Sequence, residues 1–214
     1  MSDWLADMRL SYNPGHLDVG DLEGTWLAQL EAWITEASEH KVLEPNAMVV
    51  ATASADAIPS ARTVLLKGLD ERGLVFFTNL ESRKAREVAE NPNASAVLTW
   101  LELQRQVRVE GAVEQVAAEE SDAYFASRPY GSKLAALSSP QSRVIESRAE
   151  VELAWADLAK RYPEGSEVPR PESWGGLRLV PAMVEFWQGH PDRLHDRLRF
   201  RHTVGEWTVE RLAP

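Results

Sequence analysis

The run Arg193-Leu194-His195-Asp196-Arg197 follows closely on Glu185-Phe186-Trp187 and brings an imidazole, two guanidiniums and an indole together near the end of the chain. On a strand, an alternating Arg-x-His-x-Arg aims its three polar groups at one face. Two fixed cations and a histidine on one face suit a bound anion or an electron-rich ring. A solvated edge strand, charged against aggregation, would carry the same pattern.

Three further groups carry anion chemistry. Arg62 and Lys67 share one predicted strand at an odd separation. An unbulged strand puts them on opposite faces, where they serve two different anions, and a bulge would bring them together. Ser82-Arg83-Lys84 opens a predicted helix, whose first amides and positive dipole end already favour an anion. Tyr124 and Arg128 are one helical turn apart, Pro129 ends their helix, and Ser132 follows in a loop. Their hydroxyls and guanidinium suit a phosphate monoester, although a helix-end pair with a turn serine looks the same. His16, His40, His190 and His202 show no metal-ligand spacing, so no metal is expected.

The chain has 214 residues, 44% hydrophobic and 26% charged, which suits one globular domain over 21–214 behind an N-terminal arm over 1–20. No cysteine occurs, which excludes disulfides and thiolate chemistry. The N-terminus has no basic and then apolar run, and no apolar run is long enough to span a bilayer, so a cytoplasmic protein is expected. A net charge of -10 argues against nucleic acid and anionic membranes as partners. Against that acidic background, Arg62, Lys67, Arg83, Lys84, Arg105 and Arg108 concentrate positive charge and point to a small phosphorylated ligand.

The elements that must position these groups follow from periodicity. Trp26, Leu30, Trp33, Ile34 and Ala37 predict a helix over 25–40. Strands are predicted at 48–52, 62–67, 74–78, 94–101, 106–116, 177–187, 197–203 and 206–211, with a hairpin turn at Asp70-Glu71-Arg72-Gly73. Helices are predicted at 82–91, 118–128 and 148–161, the last with a capping box of Ser147 and Glu150 and an apolar face of Val151, Trp155 and Leu158. Strands outnumber helices and follow one another through short turns, so the expectation is a mainly β, antiparallel barrel or roll with flanking helices. No glycine-rich phosphate loop occurs, so side chains must hold any phosphate.

Several stretches together resemble the pyridoxine/pyridoxamine 5'-phosphate oxidase family. They are Glu44-Pro45-Asn46-Ala47-Met48, Arg62-Thr63-Val64-Leu65-Leu66-Lys67, Phe76-Phe77-Thr78-Asn79, Ser82-Arg83-Lys84, Arg105-Gln106-Val107, Tyr124-Phe125-Ala126-Ser127-Arg128-Pro129, Gln141-Ser142, Trp174-Gly175-Gly176, Glu185-Phe186-Trp187-Gln188 and the Arg193–Arg197 run. The resemblance implies an FMN-binding split β-barrel that works as a homodimer with flavin at the subunit interface. It implies oxidation at C4' of pyridoxamine or pyridoxine 5'-phosphate to give pyridoxal 5'-phosphate, with hydride transfer to flavin N5 and reoxidation by dioxygen to hydrogen peroxide. Carried onto this sequence, it assigns Arg62, Thr63, Val64, Leu65, Leu66, Lys67, Phe77, Thr78, Arg83, Lys84, Gln106, Gln141, Ser142, Trp187 and Arg197 to FMN. It assigns Lys67, Tyr124, Arg128 and Ser132 to the substrate phosphate, and Arg193 and His195 to the pyridine ring as the catalytic pair. Arg9 and Tyr12 match an arm that closes over the ligand.

The chain departs from the family pattern at Tyr130, where a second basic residue is usual, and at Lys133, Ala135, Ala136 and Leu137, where a Gln and a Gly-Ala-Trp run are usual. Arg128-Pro129-Tyr130 is also similar to flavin oxidases of phenazine biosynthesis, whose substrate lacks the phosphate. Lys67, Tyr124, Arg128 and Ser132 favour the phosphorylated substrate. A non-catalytic FMN or pyridoxal phosphate carrier would not need Arg193 and His195, and a deazaflavin-dependent reductase would retain FMN poorly.

Overall fold

The computed structural model describes residues 15–214, so Arg9 and Tyr12 lie outside the described residues. Its first long element, α1 (Trp26–Glu39), starts where the Thr25 hydroxyl accepts from the Ala28 amide at 3.1 Å. Trp26, Leu30, Trp33 and Ala37 form its buried stripe. Each large side chain so buried contributes about 1.5–3 kcal/mol.

Among the described residues nine strands form one antiparallel sheet: β1 (Ala47–Ala53), β2 (Pro59–Leu65), β3 (Gly68–Asp70), β4 (Gly73–Asn79), β5 (Asn93–Trp100), β6 (Arg105–Gln115), β7 (Trp174–Gln188), β8 (Asp196–Thr203) and β9 (Glu206–Arg211). The order is β2-β1-β5-β6-β7-β4-β3, with β8 on the far half of β7 and β9 on β8. Side chains from β1, β4, β5, β6, β7 and β8 share one core with the stripe of α1, so the sheet curls into a half-barrel around that helix. The antiparallel, mainly β expectation holds.

Two glycines permit close approaches in the sheet. Gly73 turns the β3–β4 hairpin at φ +139°, and a Cβ there would stand 2.1 Å from the Leu179 carbonyl oxygen. Gly111 sits at the bulge between β6 and β7, where a Cβ would be 1.9 Å from the Val180 carbonyl oxygen.

Among the described residues four further helices follow, α2 (Arg83–Glu90), α3 (Ala118–Ser127), α4 (Tyr130–Ser138) and α5 (Arg148–Arg161), and α2 adds Ala85 and Val88 to the main core. The buried Arg178 of β7 fixes α3, pairing with Glu120 at 3.1 Å and with Asp70 of the β3–β4 hairpin at 2.7 Å. Among the described residues no helix is long and apolar enough to cross a membrane.

Five local expectations are corrected. Arg193 and His195 precede β8 rather than lying on it: Pro191–Arg193 is a tight turn with Asp192 and Arg193 at positive φ, so the Arg-x-His-x-Arg alternation does not apply. β2 ends at Leu65, and the Leu66 amide bonds to the Asn46 carbonyl, so Lys67 is not on the strand with Arg62. Ser132 belongs to α4, a helix the sequence reading missed, not to a loop. Ser147 makes no side-chain cap on α5, and Glu150 instead accepts from the Glu146 amide at 3.4 Å. The apolar face expected on α5 is at best half-buried: Trp155 remains 36% exposed and donates to the Gly131 carbonyl of α4, while Leu158 packs against a second, smaller core. Leu17, within the expected N-terminal arm, is buried in the main core.

Candidate active site

A cavity of about 910 Å³ opens between β2, β4, the start of α2, the end of α3 and the segment after α4. Most of the predicted ligand residues line it: Arg62, Thr63, Val64, Leu65 and Lys67, then Phe77, Thr78, Arg83 and Lys84, then Tyr124, Arg128, Ser132, Gln141 and Ser142. The two-anion argument from opposite strand faces therefore fails: Arg62 and Lys67 line the same space. Leu66 is placed differently, its side chain being buried in the core.

The α2 end of the cavity carries three cations and one buried carboxylate. Lys84 Nζ donates to Thr78 Oγ1 at 2.9 Å, Gln141 Oε1 at 3.0 Å and Ser82 Oγ at 3.3 Å. All three acceptors are neutral, and among the described residues no carboxylate pairs with this ammonium. Burial, followed by the charge of Arg62, pushes the Lys84 pKa down to about 8. Arg62 donates to Thr52 Oγ1 at 2.6 Å and to the Val50 carbonyl at 3.2 Å, and also to Ser60, while Glu87 lies 3.5 Å away. Arg83 pairs with Glu87 at 2.7 Å. Burial alone would raise the Glu87 carboxyl, but bonds from Ser60, Thr52 and Arg83 outweigh it and hold the group at about 2. One carboxylate thus faces three cations beside a helix N-terminus whose serine supplies no side-chain cap. That excess of positive charge, partly stripped of water, fits a phosphate.

The α3 end is built from aromatic rings and one guanidinium. Phe77 and Tyr124 stack at 4.0 Å and 16°, and Trp174 lies parallel to Phe77 at 5.3 Å and 11°. Arg128 stands 4.7 Å over Trp174 and 5.6 Å from Phe125. Its Nη1 is buried without a hydrogen-bond partner, and burial lowers its pKa, partly offset by Tyr124. An orphaned buried guanidinium nitrogen is costly unless an anion completes it. Gly176 is needed behind this stack, since a Cβ there would meet Val116 Cγ2 at 2.6 Å and Phe77 Cε1 at 2.8 Å.

Gln106, Trp187 and Arg197 form a second cluster, side by side across β6, β7 and β8. The His195 ring lies 4.6 Å from Trp187. His195 Nδ1 accepts from the His190 amide at 3.0 Å, so the neutral ring carries its proton on Nε2. Burial, then the charges of His190 and Arg193, lowers the His195 pKa and favours that neutral form. Glu185 holds Arg197 at 2.7 Å and raises its pKa.

The structure does not bring the second cluster to the cavity within one chain. Phe77 pairs with Gly176 near one end of β7, and Gln106 pairs with Trp187 near the other, about 35 Å of strand apart. Arg105 and Arg108 also leave the expected anion site: Arg105 pairs with Glu36, and Arg108 pairs with Glu185. Sequence reasoning missed the roles of Trp174 and Glu87. The Arg83–Glu87 helical spacing was a readable signal for the second, whereas nothing local marked Trp174 as an aromatic partner for Arg128.

Residues 34–162 match the family described as pyridoxamine 5'-phosphate oxidase, and residues 174–214 match the pyridoxine 5'-phosphate oxidase C-terminal dimerisation region. The chain is 53% identical to the pyridoxine/pyridoxamine 5'-phosphate oxidase of Paraburkholderia phymatum, over 98% of this chain and 99% of that one. It is also 53% identical to the protein of the same name in Saccharopolyspora erythraea, covering 98% and 95%. Among solved structures it resembles PhzG of Burkholderia lata, in complex with tetrahydrophenazine-1-carboxylic acid, with a TM-score of 0.88, 31% identity and coverage of 94% and 99%. A pyridoxamine 5'-phosphate oxidase-related, FMN-binding protein of Nostoc punctiforme shares the fold at a TM-score of 0.71 and 17% identity. The chain belongs to the pyridoxamine 5'-phosphate oxidase family.

Proposed function

We propose that this protein is an FMN-dependent oxidase that converts pyridoxamine 5'-phosphate and pyridoxine 5'-phosphate to pyridoxal 5'-phosphate, releasing hydrogen peroxide. One observation carries the reading: a single cavity is lined by two cationic groups, one on α2 and one at the end of α3, each suited to a phosphate. FMN and this substrate each bring one phosphate.

Arg62, Arg83, Lys84, Thr78 and Ser142 hold the cofactor phosphate and its chain, with Gln141 and residues Thr63 to Leu66 alongside. Lys67, Tyr124, Arg128 and Ser132 hold the substrate phosphate. Bound FMN supplies a two-electron acceptor that dioxygen regenerates. The protein supplies orientation. Phosphate held by Arg128 is remote from the reacting carbon, and that binding energy fixes the pyridine ring for reaction. His195, neutral with its proton on Nε2, and Arg193 orient the ring and govern its protonation. Arg197, with Gln106 and Trp187, would contact the flavin, and its guanidinium would set a positive charge beside it. Arg193 and His195 reach the cavity from a second copy of the chain. The separation along β7 and the match of 174–214 to a dimerisation region support this homodimer.

A phenazine-type oxidase is the second reading, favoured by the likeness to PhzG and by Tyr130, which donates to the Tyr162 carbonyl at 2.6 Å instead of offering a cation. Turnover of pyridoxamine 5'-phosphate, unphosphorylated pyridoxamine and tetrahydrophenazine-1-carboxylic acid separates the two. The proposal expects kcat/KM to favour the phosphorylated amine by about tenfold or more, the worth of a charge-assisted phosphate contact. Preference for the tricyclic acid would overturn it.

A further inference from the structure

We propose that His16, His190 and Asp196 form a binding site for a transition-metal dication, with zinc(II) the best fit, where the N-terminal segment meets β8. The inference does not rest on the proposed oxidase activity. The three residues come from opposite ends of the sequence, yet one ligand atom from each lies within 4.8 Å of the other two. His190 Nε2 is 3.0 Å from Asp196 Oδ2, and His16 Nδ1 is 3.9 Å from the same oxygen. The two imidazole rings face each other at 4.5 Å and 31°.

A tetrahedral zinc with bonds of about 2.0–2.1 Å separates its ligand atoms by about 3.4 Å. The His190–Asp196 pair is already close to that spacing. His16 must close by roughly half an ångström on Asp196 and by up to about 1.4 Å on His190, and its side chain is 88% exposed and able to turn. The other two ligands are held by the fold. His190 is buried, and the Asp196 carboxylate is oriented by the Leu17 amide at 3.0 Å on Oδ2 and by Arg211 at 2.7 Å on Oδ1. Arg211 also bonds to the Leu17 carbonyl at 3.2 Å and to Asp18 at 2.8 Å. Hydrogen-bond donors of this kind around a ligating carboxylate are what a metal site needs to keep its geometry.

The donor set selects the ion. Two imidazoles and one carboxylate without sulfur suit zinc, copper(II) or nickel(II), whereas magnesium and calcium prefer oxygen. The open side at His16 leaves water to complete the coordination. An ion here would tie residues 16–17 to the start of β8. It would also lie beside His195, which precedes Asp196 and whose ring accepts from the His190 amide.

The test uses tag-free, FMN-loaded protein treated with chelator, then titrated with zinc(II) chloride by calorimetry. Cobalt(II) absorption serves as a second readout of a low-coordinate nitrogen–oxygen site. The proposal expects one ion per chain, and affinity at least about tenfold weaker in both His16→Ala and His190→Ala. His16→Ala removes an exposed ring, so its flavin spectrum and its melting temperature in chelator should match wild type. Equal zinc isotherms in wild type and both variants would overturn the site, as would the absence of zinc binding by wild type. Either result would leave the three side chains as neighbours that hold no ion.

Discussion

Replacing Lys84 by Met should stabilise the apoprotein and weaken its hold on flavin. The ammonium is buried against three neutral acceptors, and its pKa is pushed from 10.5 to about 8. That displacement corresponds to about 3 kcal/mol of cost for keeping the charge at neutral pH. Methionine removes the charge but leaves Thr78, Ser82 and Gln141 without this donor, so the net gain at pH 7 should be about 1 kcal/mol or somewhat more. In a chain of this size that is a rise in Tm of roughly 2–4 °C. The pH dependence is the sharper signature. Between about pH 8 and 10.5 the unfolded wild type binds a proton at Lys84 that the folded state does not, so wild-type stability rises through this range. The variant lacks that rise, and its advantage should vanish or reverse by the upper end. The holoprotein behaves oppositely: losing a charge-assisted phosphate contact costs about 1.5–3 kcal/mol, or roughly 10- to 150-fold in flavin affinity. Urea denaturation of apoprotein at several pH values, with flavin fluorescence titration, measures both. A variant less stable than wild type at pH 7, with a constant difference across pH, would refute the account of a strained cation. An unchanged flavin Kd would refute its role at the phosphate.

Four further outcomes follow from the same geometry. Arg128→Met should raise KM for pyridoxamine 5'-phosphate about 10- to 100-fold while FMN is retained; steady-state kinetics with a flavin titration checks this, and loss of flavin would count against the assignment. Arg193→Ala should lower kcat far more than flavin affinity, and an equal loss of both would contradict its place over the substrate. Gly176→Ala should push Phe77 from its stack and cost about 1–3 kcal/mol in denaturant unfolding; an unchanged midpoint would mean that the site relaxes freely. Glu87 is held at about 2 against 4.5 when unfolded, so its stabilisation is complete above about pH 4.5 and is lost as pH falls through 2. Glu87→Gln should remove that portion of the acid dependence, as measured by urea midpoints between pH 5 and 2.

The sheet was legible because strand periodicity is local. β4, β5, β6 and β7 lie within a few residues of where alternating or continuous apolar runs place them, and the Trp26–Ala37 stripe marks α1. α4 was hidden because Tyr130-Gly131 after a proline reads as a turn, and only Leu134 of its apolar residues is fully buried. The cavity lining was legible from charged residues within short motifs. Its partners were not, since Trp174 meets Arg128 through tertiary packing. The Arg193–His195 turn was misread for a related reason: two consecutive residues at positive φ leave no compositional mark when neither is glycine. His16, His190 and Asp196 meet only because the N-terminal segment packs against β8, a long-range contact that spacing cannot reveal.

The most direct test of the central claim is anaerobic mixing of FMN-loaded protein with pyridoxamine 5'-phosphate, followed by flavin absorbance and then by admission of air. The account predicts bleaching of the flavin on mixing, then recovery of colour in air with pyridoxal 5'-phosphate and hydrogen peroxide formed. A flavin that stays oxidised with this substrate, and bleaches instead with tetrahydrophenazine-1-carboxylic acid, would contradict it.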